Sequence, residues 1–383
     1  MPDDGELTLL VDGRRLSGWQ EIRVSRGIER MPSDFSISMT ERDPAKLDGV
    51  VARAGSPCQV LIGDDVVLTG FVDRYCPEFS PTTHSVTVLG RGRCQDLVDC
   101  SAWMRGERNQ VLQATTRGLL EMLCAPFGIN VTAPDGDGVV IPQFNVILSE
   151  SPWDIIDRVT KYSAQLAYEG VDGNLILSGV GTDRMASGFR QGVNVEGGNA
   201  QFSLDQRFSL YEVVWQSVEI LGDIARAAGG GAGYNQRAAV ADVTVGADRP
   251  GTGRRFRPKI IISDQEQFGL DLAERRANWE RNRRNGRARS INLTTDSWRD
   301  AAGRLWQPNA LVPVDVPALR VEDAEWLIAD VTYSRGADGT RAQLSIMPKE
   351  AFDPEPIVLQ PFDRQVMNDM QRSSIPSGLG EAP

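Results

Sequence analysis

The chain has 383 residues, with 41 Lys and Arg against 52 Asp and Glu, which gives a formal net charge of −11. This acidic balance excludes nucleic-acid binding through the overall field of the protein, although DNA would still slide past such a surface without being held. No apolar run approaches the ~20 residues of a membrane-spanning helix and the N-terminus is acidic, so the sequence predicts neither a membrane anchor nor a secretory signal.

The first hundred residues alternate apolar and polar positions in short runs. Six or seven strands are predicted, at or near residues 6–11, 19–24, 35–40, 57–62, 66–72 and 84–88. Gly70 and Gly90 lie where a strand must bend or approach another backbone closely, which suits the corners of a small barrel. The number and spacing of these strands predict a closed or nearly closed β-barrel domain over residues 1–102.

The pattern changes at Trp103. Residues 115–123 have helical spacing and are followed by helix-stopping residues. Ser151-Pro152-Trp153-Asp154 is typical of a capping box with proline at the first helical position. A hairpin is predicted over residues 166–178, with its turn at Asp172-Gly173-Asn174. Residues 103–185 are therefore predicted to form a small α+β domain.

Strands are again predicted in the remainder of the chain. Residues 188–200 are interpreted as a linker, residues 227–233 as a mobile glycine-rich loop, and residues 263–266 as a capping box that opens a helix ending at Gly286. Further strands are expected at 201–204, 211–220, 259–262, 290–294, 311–316, 326–333 and 342–347. We predict a mainly β protein with α+β insertions. Its second β-barrel domain, with the inserted helix, spans residues 186–351, and an extended C-terminal tail covers residues 352–383.

Few sequence motifs point to catalysis. His84 is the one histidine, so any Ser-His-Asp or Cys-His site would need it, and its place at the start of an alternating strand favours packing. No lysine follows a glycine as in a P-loop, and the five cysteines form no Cys-x-x-Cys pair, which favours free thiols in a reducing compartment. We predict no enzyme activity, no catalytic residue, no cofactor and no metal site. A carboxylate pair of the glycosidase kind stays open, because 52 acidic residues offer many pairs and no local motif.

The strongest local charge feature is a cluster of arginines between residues 275 and 289. It is open to three interpretations: a solvated helix face whose late arginines favour the negative end of the helix dipole, a nucleic-acid contact, or ion pairing with an acidic neighbouring subunit. Only Trp279 lies nearby as an aromatic for nucleic-acid stacking. The candidates for ion pairing between subunits are Arg281, Arg283 and Arg284.

Several motifs, in order, resemble the baseplate hub proteins of Mu-like contractile phage tails. The first is the strand ending Gly70-Phe71-Val72-Asp73, followed by the strand at His84, by Gly90-Arg91 and by D-L-V-D-C-S at 96–101. The others are the I-E-R turn and F-x-I strand within 19–37, the segment 151–177, and the A-x-W-E helix and G-x-L-W-x-P-N turn within 273–309. The resemblance covers most of residues 5–352 and is weakest at 186–250 and in the tail.

This resemblance implies a structural part and not a catalyst. It implies a homotrimeric ring at the end of the tail tube, with the tail tube protein, a separate central spike protein and other baseplate proteins as partners. DNA would pass through without specific binding, and the protein would reside in the tail baseplate of the virion after assembly in the bacterial host cytoplasm. Two tube-like barrels per chain would present six in a trimer, which matches a sixfold tube above and a threefold spike below.

Related hubs form part of type VI secretion spike proteins, but no repeating spike strands occur here before Pro383, so a separate spike is expected. The alternatives are the hub of a tail-derived bacteriocin or of a secretion-system spike, and a polysaccharide-cleaving or receptor-binding tail protein. In the tail, Ile357, Val358, Leu359 and Phe362 lie among prolines. Such a segment is suited to add as an extended strand to an exposed sheet edge, so we predict that these residues contact the spike or a neighbouring subunit.

Overall fold

The structure is a computed structural model that describes residues 5–40, 52–81, 84–104, 110–215, 237–263 and 269–354. In these ranges the chain is mainly β, as predicted, with four α-helices. The helices are α1 Gln95–Asp99, α2 Thr116–Cys124, α3 Pro152–Thr160 and α4 Gly269–Arg287. No helix in the described part of the chain is both long and apolar enough to cross a bilayer.

The strands are numbered in chain order. The first group is β1 Leu7–Val11, β2 Arg14–Leu16, β3 Glu21–Gly27, β4 Asp34–Thr40, β5 Pro57–Ile62, β6 Asp65–Phe79 and β7 His84–Gly92. The second group is β8 Gln110–Thr115, β9 Val131–Thr132, β10 Val140–Asn145, β11 Leu166–Glu169 and β12 Leu175–Ser178. The third group is β13 Asp183–Arg184, β14 Phe189–Arg190, β15 Val195–Phe202, β16 Leu210–Trp215, β17 Arg237–Ala241, β18 Pro258–Ser263, β19 Arg289–Thr295, β20 Ala310–Val316, β21 Val321–Gly336 and β22 Gly339–Met347.

One large sheet contains strands from both ends of the chain. Its order is β15-β19-β22-β21-β3-β4-β7-β6-β5-β1-β2, and β20, with β13 and β14 on its far side, also pairs with β21. The two ends meet where β21 runs antiparallel to β3, from the pair Asp330 and Gly27 to the pair Arg335 and Ile22. No closed barrel is found among the described strands. The edge of β3 is occupied by β21, so the first seven strands continue into the C-terminal part instead of closing on themselves.

The core of this sheet follows from period-2 alternation, which sends every second side chain inward. In β4, Phe35 and Ile37 are buried while their neighbours are half-exposed. The same hydrophobic cluster includes Trp298, Val312 and Ile346 from the C-terminal part. Both ends of the chain therefore share one core across the β3–β21 pairing.

Gly70 and Gly90 lie at close backbone approaches, as the sequence predicted. An ideal Cβ on Gly70 would be 1.9 Å from the carbonyl oxygen of Arg91, and one on Gly90 would be 2.4 Å from that of Phe71. Both glycines therefore allow β6 and β7 to pair at a distance that no other residue permits.

The middle of the chain has its own core, built around Leu119, Ile155 and Leu175. The predicted helix at 115–123 is α2, and the capping box at the start of α3 is present. The hydroxyl of Ser151 accepts from the amide of Asp154 at 3.1 Å, and the Asp154 carboxylate accepts from the Ser151 amide at 3.3 Å. The predicted hairpin is formed by β11 and β12.

The region after residue 185 differs from its prediction at the expected linker, and its described strands form no closed barrel. The expected linker at 188–200 is wrong, because β14 and most of β15 lie there, and β15 pairs antiparallel with β19. Two glycines and exposure on both faces of β15 remove the alternation that identifies a strand.

A separate three-stranded sheet, β17-β16-β18, packs against α4. Tyr211 and Val213 of β16 form a buried cluster with Ala273 and Ala277 of α4. The glycine-rich loop at 227–233 and residues 264–266 of the capping box lie outside the described residues. The division into domains 1–102, 103–185, 186–351 and 352–383 stays a prediction.

Candidate functional site

A buried carboxylate connects the middle part of the chain to the large sheet. Glu169, at the end of β11, is 3% exposed. Its Oε2 accepts from the amide of Ser33 and its Oε1 from the amide of Cys94, both at 2.8 Å. An ideal Cβ on Gly92 would lie 2.0 Å from Oε2, so the glycine leaves the space that the carboxylate fills. We call this arrangement the Glu169 junction.

Burial raises the pKa of Glu169, while the amides of Cys94 and Ser33 and the positive charge of Arg26 act in the opposite direction. Arg26 belongs to β3 and is itself buried. A buried carboxylate is tolerated when its oxygens are hydrogen-bonded and a cation lies nearby. The Glu169 junction is therefore a structural contact between two parts of the chain.

The pairing of β3 with β21 is supported by large buried side chains with satisfied polar groups. The hydroxyl of Tyr333 donates to the carbonyl of Trp306, and burial raises the pKa of Tyr333 to about 12. The indole nitrogen of Trp298 donates to the carbonyl of Arg341 at 2.8 Å. Both bonds lie within the C-terminal part, and they hold Tyr333, which pairs with Val24 of β3, in its place on β21.

One face of α4 holds the segment that leads into the C-terminal tail. Trp279, Arg283 and Arg287 are spaced four residues apart and so lie on the same face of the helix. Trp279 Nε1 and an Arg283 terminal nitrogen donate to the carbonyl of Asp353 at 2.7 and 3.1 Å, and Arg287 Nε donates to that of Ala351 at 3.1 Å. We call these three residues the clamp row. Because Arg287 also pairs with Glu29, the clamp row ties residues 351–353 to the first β part.

The predicted arginines contact groups of their own chain. Arg281 donates to Oδ1 of the adjacent Asn282 at 3.2 and 3.1 Å, and Arg284 pairs with Glu280 at 2.6 Å and donates to Gln206. Arg283 belongs to the clamp row. Ion pairing of these residues with a neighbouring subunit stays a prediction.

The other predicted positions are only partly within the described structure. Ile357, Val358, Leu359 and Phe362 lie outside the described residues. The backbone of His84 starts β7 and pairs with Phe79. The expected packing role of the His84 side chain stays a prediction.

Sequence reasoning missed two features. The clamp row could have been found in the sequence, because a tryptophan and two arginines recur at intervals of four residues. The interpretation of the cluster considered only its charge and not this spacing. Glu169 had no such signal, because one acidic residue at the end of a short alternating strand resembles an ordinary solvent-facing position.

Among the described residues, no group of three or more His, Cys, Asp or Glu side chains is placed so that it could bind a metal ion. All five cysteines are free, and burial raises the pKa of both Cys58 and Cys124 to about 12. These two thiols remain protonated near neutral pH and are poor nucleophiles.

Replacing Trp279 by phenylalanine tests the clamp row. The change removes one donor to the Asp353 carbonyl and keeps an aromatic ring, so the free energy of unfolding should fall by about 1 kcal/mol. Hydrogen exchange at the amides of residues 351–353 should become faster, as followed by mass spectrometry. Asn278→Ala on the same helix, which removes a bond only to the helix carbonyl of Glu274, is the matched control and should leave that exchange unchanged. Equal exchange in both variants would show that Trp279 does not hold this segment.

Comparison with known proteins gives consistent results along the chain. Residues 6–92 match the family model of the N-terminal domain of Mu phage baseplate assembly protein GpP-like proteins. Residues 94–179 match the second domain of gp44-like baseplate hub proteins, and residues 269–355 match the fourth domain of Mu phage baseplate assembly protein GpP. The chain is 28% identical to the baseplate hub protein gp44 of Escherichia phage Mu over 356 residues, which are 90% of this chain and 88% of that protein.

Solved structures of tail proteins share this fold. A 43 kDa tail protein of prophage MuSo2 from Shewanella oneidensis is 28% identical, with a TM-score of 0.77 over 91% of this chain and 99% of that one. A tail protein from Neisseria meningitidis shares the fold at 18% identity, with a TM-score of 0.72 over 92% and 99% of the two chains. An Escherichia coli component of the type VI secretion system shares the fold more distantly, at 11% identity and a TM-score of 0.55 over 92% and 80%.

The three family models follow one another in the order expected for a hub protein, and the similarity to the phage Mu hub extends across their boundaries. The resemblance inferred from the sequence motifs is thereby confirmed. This chain belongs to the family of Mu-type baseplate hub proteins.

Proposed function

We propose that this chain is the structural hub of a contractile tail baseplate. In this proposal it forms a homotrimeric ring that joins the sixfold tail tube to a separate threefold spike and lines part of the DNA conduit. It works without enzymatic activity, contacts other baseplate proteins, and resides in the virion tail after assembly in the host cytoplasm. Membership of the hub family supports the role in the baseplate.

The observation that carries the ring is the open sheet that contains both ends of the chain. Its outermost strand β15, eight residues long, pairs with β19 on one side, and β2 is outermost at the other end. Exposed sheet edges favour pairing with another chain. A ring needs two different surfaces that meet between neighbours, and the two ends of one sheet provide them. Three such chains would contribute six tube-like β units, one from each end of each chain.

The charge of the chain is compatible with a conduit. A net charge of −11 gives the protein the same sign as the phosphate backbone. Like charge weakens the electrostatic capture of DNA, so passing DNA would not be held. Ion pairing by Arg281, Arg283 and Arg284 with an acidic neighbour remains part of the proposal for the subunit contact.

Native mass spectrometry of the purified full chain tests the ring. The expected species has three times the 42.0 kDa mass of one chain. Phe202, 51% exposed on edge strand β15, is the position to perturb. Phe202→Lys should shift the population toward monomer, because charge on an edge opposes strand pairing. Val243→Lys, at a similarly exposed apolar residue outside the large sheet, should remain trimeric. A chain that is monomeric both alone and when isolated from tails would contradict the ring.

The tail is proposed to bind the spike or a neighbouring subunit through apolar residues among Ile357, Val358, Leu359 and Phe362. A chain that ends at Pro354 keeps the Asp353 carbonyl that the clamp row uses, so it should still fold. Its affinity for the spike should fall about tenfold or more, equivalent to about 1.4 kcal/mol. Unchanged capture of the spike in a pull-down with purified proteins would refute this role.

A further inference from the structure

A groove of about 410 Å³ lies between the first β part, α3 and α4. Trp153 of α3 and Trp279 of α4 both line it and are half-buried, and Ile28 and Leu166 add apolar surface. The charged groups at its rim balance in number. Lys161 pairs with Asp157 at 2.7 Å, and Arg283 lies 3.9 Å from Glu29. An occupant of this groove should therefore be apolar and uncharged.

The described chain ends at this groove. Pro354 is one of the lining residues, and the clamp row fixes the backbone of residues 351–353 immediately before it. The chain continues with Glu355 and then Pro356–Phe362, a run of seven residues without charge that contains two prolines. Proline-rich segments are extended before they bind, and aromatic-lined grooves are a common site for them.

We propose that residues 356–359 of the tail lie extended in the groove of their own chain. At ~3.3 Å per residue these four residues span roughly 13 Å, and Glu355 links them to Pro354 at the groove. Side chains alternate along an extended segment. Ile357 and Leu359 face the two tryptophans, and Val358 faces away from the groove.

This seating determines where the rest of the tail leaves the molecule. The clamp row and the groove together hold residues 351–359 along α4, and Val358 and Phe362 remain for the partner contact in the proposed function. The inference deepens that proposal by separating a part of the tail bound to its own chain from a part that binds a partner. It does not depend on the trimer, because the groove is formed within one chain.

Site-specific photocrosslinking of the full chain tests the inference. Benzoylphenylalanine is introduced at Leu359, and in a matched variant at Val358. The Leu359 probe should crosslink to peptides that contain Trp153 or Trp279, and the product should keep the mass of one chain on a denaturing gel. The Val358 probe should give at least fivefold less of this product. A product of twice the chain mass would place the segment in a neighbouring copy, and crosslinks elsewhere or equal yields from both probes would also overturn the proposal.

Hydrogen exchange provides a second readout without a probe. Amides of α3 should be equally protected in the full chain and in a chain ending at Gln360, and less protected in a chain ending at Pro354. Equal protection of the α3 amides in all three chains would count against binding of the tail segment in the groove. A chain that is monomeric both alone and when isolated from tails, and that crosslinks as expected, would refute the ring and keep this inference. A trimer without the crosslink would do the reverse.

Discussion

Replacing Glu169 by alanine is expected to lower the free energy of unfolding by about 3 kcal/mol. The change leaves the amides of Ser33 and Cys94 buried without their acceptor, and each unsatisfied buried donor costs about 1–3 kcal/mol. Urea denaturation monitored by circular dichroism measures the loss. Proteolysis should also become faster within residues 103–185, because the middle part loses its attachment to the large sheet.

The control is Glu121→Ala, which removes an exposed carboxylate paired with Arg117. Exposed pairs contribute less than about 1 kcal/mol, so this variant should be nearly as stable as the natural chain. Equal losses in the two variants would mean that the Glu169 junction contributes no more than a surface ion pair.

The pH dependence has a defined sign. Burial raises the pKa of Glu169, so the folded state keeps the proton to a higher pH than the unfolded state. The stability that this group contributes is present below the ordinary glutamate pKa of about 4.3 and is lost as pH rises through the raised value. The natural chain should therefore lose stability relative to Glu169→Gln across that window. A difference between the two that is constant with pH would contradict the raised pKa.

Replacing Gly70 by alanine should destabilise the protein by about 3 kcal/mol, the upper part of the usual range for overpacking. The added methyl would lie 1.9 Å from a backbone oxygen of Arg91, and backbone of a paired strand cannot move away as a flexible side chain can. The β6–β7 pairing would have to separate, and β7 also pairs with β4. Thermal denaturation should show a markedly lower melting temperature.

Gly336→Ala is the matched control on strand β21. An added Cβ there meets no atom within 4 Å, and the φ angle of Gly336 does not lie in the left-handed region, so alanine can adopt the same backbone conformation. Its stability should change by less than about 0.5 kcal/mol. A Gly70 variant as stable as this control would show that β6 and β7 tolerate greater separation than their pairing indicates.

The local parts of the fold were predictable because their signals are short-range. Alternation identified β4 and β22, a serine, a proline and an aspartate identified the start of α3, and Gly70 was recognised from its place inside a strand. Each of these signals depends on residues within one element or on a close backbone approach that only glycine permits.

The features that the sequence did not predict depend on contacts between residues far apart in the chain. Nothing near Gly27 indicates that β3 pairs with Asp330, so a closed barrel was the natural expectation for the first seven strands. Glu169 is tolerated in a buried position because the amides of Ser33 and Cys94, which are distant in sequence, donate hydrogen bonds to it. The clamp row was read as a charge cluster because its acceptors are carbonyls of residues 351 and 353, which no sequence pattern displays.

The pairing of Gly27 with Asp330 also bears on how the protein is made. Strand β3 leaves the ribosome early, and the strand that covers its edge follows some three hundred residues later. At about 5–20 residues per second the interval is roughly 15–60 s. During synthesis the growing chain therefore carries an uncovered edge, a hazard for aggregation that ends when β21 arrives. Incomplete chains cannot form this pairing. Strand β15 joins β21 through β19 and β22, so the two surfaces proposed to close the ring lie on one sheet only in a chain whose translation has passed residue 347.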